Sequence, residues 1–307
     1  MKEKNILKHK NNKNEQTTLY FCLMILIVDS GSTKTDWLAI NTKSMEQFSF
    51  ETIGFNPMIQ TEEFIQSQIS LNKDLINLNS DIINIYFFGA GCSTSENNNK
   101  VINALKANFP TSNILVDHDL NGALIALCQG NPGIACILGT GSNSIFFDGV
   151  HQQKKVPSLG FILGDEGSGA YFGKQLLRDF LYGNLPNEIF NYMSLELYLN
   201  KDIILQKIYG EPNPNRYLAS FAIILSHFRQ TDYVQKILLE GFNSFFQIHI
   251  LCFEKYREIP LNFVGSIAIN FKSEIEIIAN KYQCKIGRFV QKPIQAIAEY
   301  YLSIENA

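Results

Sequence analysis

The stretch Ile25-Leu-Ile-Val-Asp29-Ser-Gly31-Ser-Thr-Lys-Thr35-Asp-Trp-Leu-Ala-Ile40 decides how the rest of the chain is interpreted. It begins with an apolar, β-branched run that is typical of a buried strand, and Asp29 ends that run. Gly31 permits a tight turn. Hydroxyl side chains and exposed backbone amides at such a turn can bind a phosphate chain. Asp29 would face the same space and could hold Mg²⁺ through water, because a hard cation prefers oxygen ligands. Alone, the pattern also fits an ordinary hairpin.

A second hairpin of the same design follows, as Ala135-Cys-Ile-Leu-Gly139-Thr-Gly-Ser-Asn143-Ser-Ile-Phe-Phe. It again joins an apolar strand, a turn of Gly, Thr and Ser, and a second apolar strand. Two such turns, far apart in the chain, could hold a nucleotide from opposite sides. The pair is therefore more informative than either hairpin alone.

The composition is that of a globular protein with room for two domains. The chain has 307 residues, of which 46% are hydrophobic and 18% charged, and its formal net charge is −3. This charge gives no reason to expect nucleic acid or a membrane as a partner. The six cysteines lack CxxC spacing, and most lie in apolar runs. We expect a reducing, cytoplasmic compartment without a disulfide framework or a zinc site.

The N-terminal region allows two interpretations. Residues 1–18 are polar and rich in Lys and Asn, and an apolar run extends from Leu19 to Val28. A signal peptide has a similar layout, but no small-residue cleavage pattern follows, and the run leads directly into the first hairpin. It is also too short to span a bilayer. We therefore predict that residues 1–23 are a disordered tail or a misassigned start, with Met24 as the alternative first residue.

Up to residue 118 the pattern predicts the order β-β-β-α-β-α-β, which is one lobe of an α/β protein. Asp119 follows the fifth strand and opens the next helix. Asp is a good N-cap residue whatever the function. However, a carboxylate at the carboxyl end of a strand lies where open α/β sheets bind ligands.

A glycine-rich loop extends from Pro157 to Ala170 and precedes a predicted helix at 171–182. It contains Asp165 and Glu166, which the helix dipole would stabilise, so simple capping is one interpretation. Four glycines around this acidic pair exceed the needs of a cap. The loop is therefore predicted to bind a ligand.

The remainder of the chain is mainly helical. Helices are predicted at 187–194, 214–228, 231–254, 272–281 and 291–303. Between them, Val264-Gly265-Ser266 forms a strand–helix junction where a phosphate or an adenosine could lie against the backbone. The histidines lack companions at metal-ligand spacing, so we assign them no chemistry.

Five stretches together resemble the N-acetylglucosamine kinase family within the BadF/BadG/BcrA/BcrD ATPase group of the sugar kinase–actin–heat-shock-chaperone superfamily. They are Asp29-Ser-Gly-Ser-Thr-Lys-Thr, Gly54-Phe-Asn56, Asp119-Leu-Asn-Gly-Ala, Gly139-Thr-Gly-Ser-Asn with Gly164-Asp-Glu-Gly-Ser, and Val264-Gly-Ser. The resemblance covers residues 24–300. It implies an α/β protein of two ribonuclease-H-like lobes, the actin-like ATPase fold, with an active-site cleft between them. The expected lobes are residues 24–118 and 119–307, the second with added helices.

The resemblance also implies a reaction, in which ATP with Mg²⁺ phosphorylates the 6-hydroxyl of an amino sugar, foremost N-acetylglucosamine. Asp119 matches the catalytic base, and Asp29 would orient Mg²⁺ through water. The positions matching the nucleotide site are Gly31, Ser32, Thr33, Lys34, Thr35, Thr140, Gly141, Ser220, Gly265 and Ser266. The positions matching the sugar site are Asn56, Asp119, Ser142, Asn143, Gly160 and Asp165. A homodimer is also implied.

One departure and two alternatives accompany this assignment. The segment Pro157-Ser-Leu-Gly160 stands where the animal enzymes have a Trp-containing segment, which leaves the choice of sugar open. The first alternative is an ATPase activator of acyl-CoA dehydratases or reductases, which shares the fold and holds an iron–sulfur cluster; Cys92 and Cys128 are its candidate ligands. The second is a non-catalytic sugar or nucleotide sensor.

Overall fold

The computed structural model describes residues 23–31 and 34–305. Within these ranges the strands form two sheets of five strands each. In both sheets, parallel strands bring their carboxyl ends to one edge, and the loops that leave this edge carry most of the predicted site residues.

The first sheet has the strand order β3-β2-β1-β4-β5. Its strands are β1 (Met24–Ser30), β2 (Lys34–Asn41), β3 (Gln47–Ile53), β4 (Ile82–Gly89) and β5 (Asn113–His118). The β1–β2 hairpin and β3 are antiparallel, and β1, β4 and β5 are parallel. Helices α1 (Glu62–Leu71), α2 (Lys73–Ile76) and α3 (Ser95–Asn108) accompany this sheet. This order agrees with the predicted β-β-β-α-β-α-β pattern.

The second sheet has the order β10-β9-β6-β7-β8. Its strands are β6 (Gly133–Leu138), β7 (Ser142–Phe147), β8 (Gln152–Gln153), β9 (Pro260–Val264) and β10 (Lys285–Val290). The β6–β7 hairpin is antiparallel, and β6, β9 and β10 are parallel. Each sheet thus contains a hairpin whose first strand is the central strand of that sheet.

The helices after β5 are α4 (Asp119–Cys128), α5 (Gly160–Leu163), α6 (Gly169–Leu181), α7 (Asn187–Asn191), α8 (Lys201–Leu205), α9 (Pro214–Ser220), α10 (Ala222–His227), α11 (Asp232–Phe245), α12 (Ser266–Asn270), α13 (Lys272–Lys281) and α14 (Pro293–Glu305). Three π-helical turns continue α7, α8 and α11: Tyr192–Glu196, Gln206–Gly210 and Phe246–Ile250. Most of these helices enclose one large core on the second sheet.

Helices α4 and α14 connect the two halves of the molecule. Helix α4 places Ala126 in the core on the first sheet and Leu127 in the core against the second sheet. Helix α14 follows β10 in the chain but packs on the first sheet, where Ile297 is fully buried. The ring of Tyr301 stacks on Tyr86 of β4, with 3.7 Å between centroids. The boundary predicted between residues 118 and 119 stays a prediction.

Several features differ from the sequence predictions, among them short helices and strands that were not predicted and the helix predicted over 214–228, which is divided into α9 and α10. Strand β10 lies where no element was predicted. The helix predicted over 231–254 is α-helical only to Phe245 and ends in a π-helical turn. None of the described helices combines the length and apolar character needed to cross a membrane.

Candidate active site

Asp29 lies at the carboxyl end of β1, between two neighbouring strands. It is opposite Asp36 of β2 and Phe88 of β4. Burial raises the pKa of Asp29 to about 7, and the carboxylates of Asp119 and Asp36 add to this effect while Lys34 opposes it. Three carboxylates therefore share one edge of the first sheet.

The hairpin β1–β2 also holds the loop after β3. The hydroxyl of Ser30 lies 2.8 Å from that of Thr35, and it accepts the backbone N–H of Phe55 at 3.0 Å. The Thr35 hydroxyl donates to the carbonyl of Ile53 at 2.9 Å. These buried bonds fix the position of the neighbouring Asn56 beside the first polar turn. Thr35, which was predicted for the nucleotide site, is thus together with Ser30 a structural support of this loop.

Asn56 lies against the loop that follows β4. A Cβ on Gly91 would come within 2.2 Å of the Asn56 side-chain oxygen, and Gly91 has φ +83°. Only glycine allows this close approach together with this backbone conformation. Cys92, in the same loop, is close enough to Asp119 for that carboxylate to contribute to its raised pKa. The loop therefore lies between Asn56 and Asp119.

Asp119 is the first residue of α4 and follows β5 directly. Its Oδ1 is buried and lies 2.7 Å from Nδ1 of His118. The carboxylate of Asp117 has other partners, since it accepts the Asn121 side-chain amide at 2.9 Å and the backbone N–H of His118 at 2.7 Å. Asp117 is thus hydrogen-bonded to Asn121 of α4, whereas the Asp119 carboxylate has no hydrogen bond to this helix.

In the second half of the molecule, the Asp165 carboxylate lies against the turn of the second hairpin. Its Oδ1 accepts the backbone N–H of Ser142 at 3.3 Å. A Cβ on Gly141 would lie 3.0 Å from its Oδ2. Burial raises the pKa of Asp165, with a contribution from Glu166, and the Ser142 amide opposes the shift. The hydroxyl of Ser142 is buried and has no partner in the described part of the chain, so it is free to bind a ligand.

The turn of the second hairpin also joins the start of α6. The carbonyl of Gly139 accepts the N–H of Gly169 at 2.8 Å, and that of Thr140 accepts the N–H of Ala170 at 3.0 Å. Gly265, with φ +114°, lies so close to β6 that a Cβ would be 2.4 Å from the Leu138 carbonyl oxygen. The two glycine-containing junctions therefore meet at one edge of the second sheet.

A cleft of about 470 Å³ opens beside this edge. Its size is within the usual range for small-molecule sites. It is lined by the residues Gly139, Thr140, Gly169, Arg216, Tyr217, Ala219, Ser220, Ser266 and Ile267. Three of the residues predicted for the nucleotide, on separate elements, are thus brought together.

Helix α9 forms one wall of the cleft. Ser220 is the residue of this helix that the sequence analysis predicted for the site, and Arg216 and Tyr217 were not predicted. Arg216 is an exposed cation there, and the hydroxyl of Tyr217 is buried without a partner in the described residues. Helix α9 can lie this close because α6 has Gly173 at the contact, where a Cβ would be 1.8 Å from the Leu218 carbonyl oxygen. In the sequence, Arg216 and Tyr217 lie in an Asn-Arg-Tyr run after two prolines, and this pattern does not predict a binding site.

The buried side chain of His249 contacts the glycine-rich loop. Nε2 of His249 lies 3.3 Å from Oε2 of Glu166, and burial lowers the pKa of His249 despite this carboxylate. The His249 carbonyl accepts the Ser144 hydroxyl at 2.8 Å. Because His249 lies in the π-helical turn after α11, this turn connects the second hairpin to the loop.

The remaining predicted residues are distributed as follows. Lys34 donates to Asp36 at 2.9 Å and to Glu51 at 3.2 Å, so its ammonium is paired within the sheet. Asn143 is buried beside Ser142, and Gly160 starts α5 with φ +70°. Ser32 and Thr33 lie outside the described residues, so their predicted roles, like those of the other site residues, stay predictions.

The residues present fit a magnesium ion held with phosphate rather than in a protein cage. No group of three or more His, Cys, Asp or Glu side chains suited to a metal occurs in residues 23–31 and 34–305. Mg²⁺ is usually bound through one or two carboxylates together with substrate phosphates and waters. Burial is the main cause of the raised pKa of Asp29, and such a cation would relieve the repulsion from Asp119 and Asp36 that adds to it.

Comparison with solved structures finds proteins of similar fold. No family model and no curated protein matches the chain. A candidate N-acetylglucosamine kinase from Porphyromonas gingivalis superimposes with a TM-score of 0.87 and 34% identity, over 92% of this chain and 100% of that chain. A candidate N-acetylglucosamine kinase from Chromobacterium violaceum has a TM-score of 0.71 and 15% identity, over 91% and 99%. A ROK family glucokinase from Streptomyces griseus, in complex with glucose and AMPPNP, has a TM-score of 0.53 and 12% identity, over 90% and 98%.

The fold is that of a two-lobed, actin-like sugar kinase, as the sequence predicts. The matches at 15% and 12% identity support the fold alone. The match at 34% identity covers nearly the whole chain, and the chain belongs to the N-acetylglucosamine kinase-like family of sugar kinases. It is therefore an enzyme that phosphorylates a sugar.

Proposed function

We propose that this sugar kinase transfers the γ-phosphoryl group of ATP to the 6-hydroxyl of N-acetylglucosamine, with Asp119 as general base. The observation that carries the proposal is the arrangement around Asp165, whose carboxylate lies against the turn of the second hairpin. The buried, unpartnered hydroxyl of Ser142 is next to it. The choice of sugar is supported by the 34% identity to the P. gingivalis protein.

The sugar would lie between the two groups of polar side chains described above. Asn56 from the first lobe and Asp165 from the second can each exchange hydrogen bonds with sugar hydroxyls. Carboxylate and amide groups suit this role because several directed bonds fix one orientation of the ring. Glu166, held by His249, would give the loop around Asp165 the rigidity that such recognition needs.

The nucleotide would lie in the cleft of about 470 Å³. Thr140 and Gly141 would bind phosphate through their turn, while Ser266 and Ser220 would lie beside the nucleoside. Arg216 adds a cation at the same wall. This arrangement suits phosphoryl transfer, because that reaction depends mainly on the positioning of the reactants and on neutralisation of the phosphate charge.

The base step follows from the position of Asp119. Its carboxylate would accept the proton of the 6-hydroxyl while that oxygen attacks the γ-phosphorus and the bond to ADP breaks. A general base typically contributes about 10²–10⁴-fold to the rate. Mg²⁺, held by Asp29 through water, would supply neutralisation of the phosphate charge.

The test is ADP release from purified protein with ATP and Mg²⁺ across a panel of N-acetylglucosamine, glucosamine, N-acetylmannosamine and glucose. We expect strong stimulation by N-acetylglucosamine and a sugar 6-phosphate by mass spectrometry. The Asp119→Asn variant should lose about 10²–10⁴-fold in kcat while it still binds ATP. Asp117→Asn is the matched control, because that carboxylate is occupied by Asn121 and should be dispensable for turnover.

ADP release that no sugar stimulates would contradict the proposal and favour the activator ATPase. An Asp119→Asn protein with wild-type turnover would remove Asp119 from the role of base. Stimulation by another amino sugar would retain the kinase and change its substrate.

A further inference from the structure

We propose that Lys174 is a positioning residue of the sugar site, and that it holds the short helix α5 in place before Asp165. This inference rests on the proposed function, in which Asp165 binds the sugar. It concerns the segment Pro157-Ser-Leu-Gly160 and the helix that starts there, the part of the chain that departs from the animal enzymes. A lysine on another helix then takes part in the choice of sugar.

The first observation is a pair of hydrogen bonds between α6 and α5. Lys174, in the second turn of α6, donates through Nζ to the carbonyl of Phe161 at 2.8 Å and to that of Ile162 at 3.4 Å. The last carbonyls of a helix have no partner within it, and lysine is well suited to bind them. Within residues 23–31 and 34–305, no other hydrogen bond joins α5 to another helix or strand.

Helix α5 has little buried surface to fix its position. Leu159, at its N-cap, makes no side-chain cap hydrogen bond, and none of the four residues of α5 is buried. The side chains of Ile162 and Leu163 are 71% and 74% exposed, while the ring of Phe161 packs at the edge of the large core. A single helical turn with so few contacts is not stable by itself. Its position therefore depends on the bonds from Lys174.

The chain continues from α5 into Asp165 after one residue. The backbone of Asp165 is left-handed, with φ +58°, a conformation that a residue with a side chain keeps where its surroundings hold it. On one side, the Asp165 carboxylate accepts the Ser142 amide, and Glu166 is bonded to His249. On the other side, Lys174 holds α5. Asp165 is thus placed between two attached segments.

Lys174 also acts on Asp165 through its charge. Burial raises the pKa of Asp165 and Glu166 adds to this, whereas the Ser142 amide and the Lys174 ammonium lower it. The hydrogen-bond partners of Lys174 in the described residues are carbonyls rather than carboxylates, so no paired acid neutralises its charge. The cation therefore favours the ionised form of Asp165, which can accept a hydrogen bond from a sugar hydroxyl.

The first test compares the kinetics of Lys174→Met and Lys174→Arg. Methionine keeps the apolar stem and removes both bonds and the charge, whereas arginine retains a charged donor. In Lys174→Met, KM for N-acetylglucosamine should rise about tenfold, as expected for the loss of a hydrogen bond from a charged group. KM for ATP should not change. The preference for N-acetylglucosamine over glucosamine, measured as the ratio of kcat/KM, should fall, and Lys174→Arg should recover most of both properties.

Lys285→Met is the matched control for the loss of a lysine-to-carbonyl bond. Lys285 donates through Nζ to the carbonyl of Glu258 at 3.0 Å, and it lies in β10, which lines no part of the cleft. This variant should leave KM for both substrates and the sugar preference as in the wild type. An effect of Lys174→Met on sugar binding is then specific to the place of that lysine.

The second test uses the pH dependence of kcat/KM for the sugar. Without the Lys174 cation, burial and Glu166 raise the pKa of Asp165 further. The acid limb of the profile should therefore move to higher pH in Lys174→Met and stay at the wild-type position in Lys174→Arg. An acid limb that is the same in all three proteins would overturn the electrostatic part of the role.

The third test follows α5 without turnover. Amide hydrogen exchange of residues 160–164 should be faster in Lys174→Met than in the wild type and in Lys285→Met. Equal exchange in the three proteins would overturn the attachment of α5. A folded Lys174→Met protein with wild-type KM for the sugar, or with an equal rise in KM for ATP, would overturn the positioning role.

The failure of this inference can be told apart from the failure of the proposed function. If the wild type phosphorylates no sugar of the panel, the proposed function fails, and the positioning role fails with it. The exchange rates of residues 160–164 still report in that case whether Lys174 holds α5. If the wild type phosphorylates N-acetylglucosamine and the Lys174 variants behave like it, the positioning role alone fails.

Discussion

The contact between α6 and α9 at Gly173 allows a test of how the nucleotide cleft is built. A Cβ at residue 173 would lie 1.8 Å from the carbonyl oxygen of Leu218, whereas real Cβ contacts are essentially never under 3.0 Å. Since the obstacle is backbone rather than a flexible side chain, Gly173→Ala must separate the helices by more than about 1 Å. Helix α9 would carry Arg216 and Ser220 with it.

The expected effects are a weaker ATP site and a less stable protein. A misplacement of about 1 Å at a positioning group can cost about 10²-fold, so kcat/KM for ATP should fall by one to two orders of magnitude. Overpacking costs about 1–3 kcal/mol, and Ala offsets about 1 kcal/mol of this through its higher helix propensity. Steady-state kinetics with varied ATP at saturating sugar and urea unfolding measure the two effects.

Gly287→Ala is the matched control for this experiment. A Cβ there would lie 2.2 Å from the side-chain oxygen of Asn262, and no residue of β10 lines the cleft. It should lower the stability and leave KM for ATP unchanged. A Gly173→Ala protein with wild-type stability and wild-type KM for ATP would refute the reasoning that this close approach positions α9.

Two further predictions concern charged groups. Arg229→Met should destabilise the fold by about 3–5 kcal/mol, because Glu274 is 3% exposed and would lose its bond from Arg229 Nε, 2.7 Å long. Burial raises the pKa of Glu274, but hydrogen bonds from Arg229 and Gln235 outweigh it and lower that pKa below 4.5. This stabilisation is therefore complete above pH 4.5 and is lost as the pH falls through the lowered pKa. The free energies of unfolding of the wild type and Arg229→Met, measured in urea, should therefore converge in acid. An equal difference between the two proteins at pH 7 and pH 3 would contradict this prediction. Asp29→Asn should raise the Tm of the Mg²⁺-free protein at pH 8 while it lowers activity. Burial raises the pKa of Asp29 from 3.8 to about 7, so the cost of the buried carboxylate to folding grows as the pH rises from 3.8 and is complete above about pH 7. Thermal unfolding and turnover at pH 8 check this, and an unchanged Tm would count against it.

The first sheet could be predicted from the sequence because its signals are local. The strand ending in Asp29 is a continuous apolar run, and its glycine turn marks the hairpin. The same holds for the second hairpin and for the glycine-rich loop around Asp165. In each case the residues that make the turn are also those placed next to the site.

Other features depend on contacts that are distant in sequence. Strand β10 is an edge strand with Gly287 in its interior and mostly exposed or half-buried side chains, so neither propensity nor periodicity identifies it. The π-helical turn at Phe246–Ile250 continues the apolar stripe of α11, and what distinguishes it is tertiary: His249 meets Glu166 and Ser144. The contribution of α9 to the cleft likewise depends on Gly173, more than forty residues away in the chain.

The path of α14 has a consequence for the order in which the chain folds during synthesis. One face of the first sheet, with Ile25, Ile27 and Leu38, is covered by α14 and α4. Because α14 emerges from the ribosome after all strands of the second sheet, only α4 can cover this face for most of translation. Domains usually fold from the N-terminus as they are made, but here the first sheet completes its core last. A ribosome stalled before residue 293 would therefore display an exposed hydrophobic surface that chaperones bind, and release of α14 would remove it.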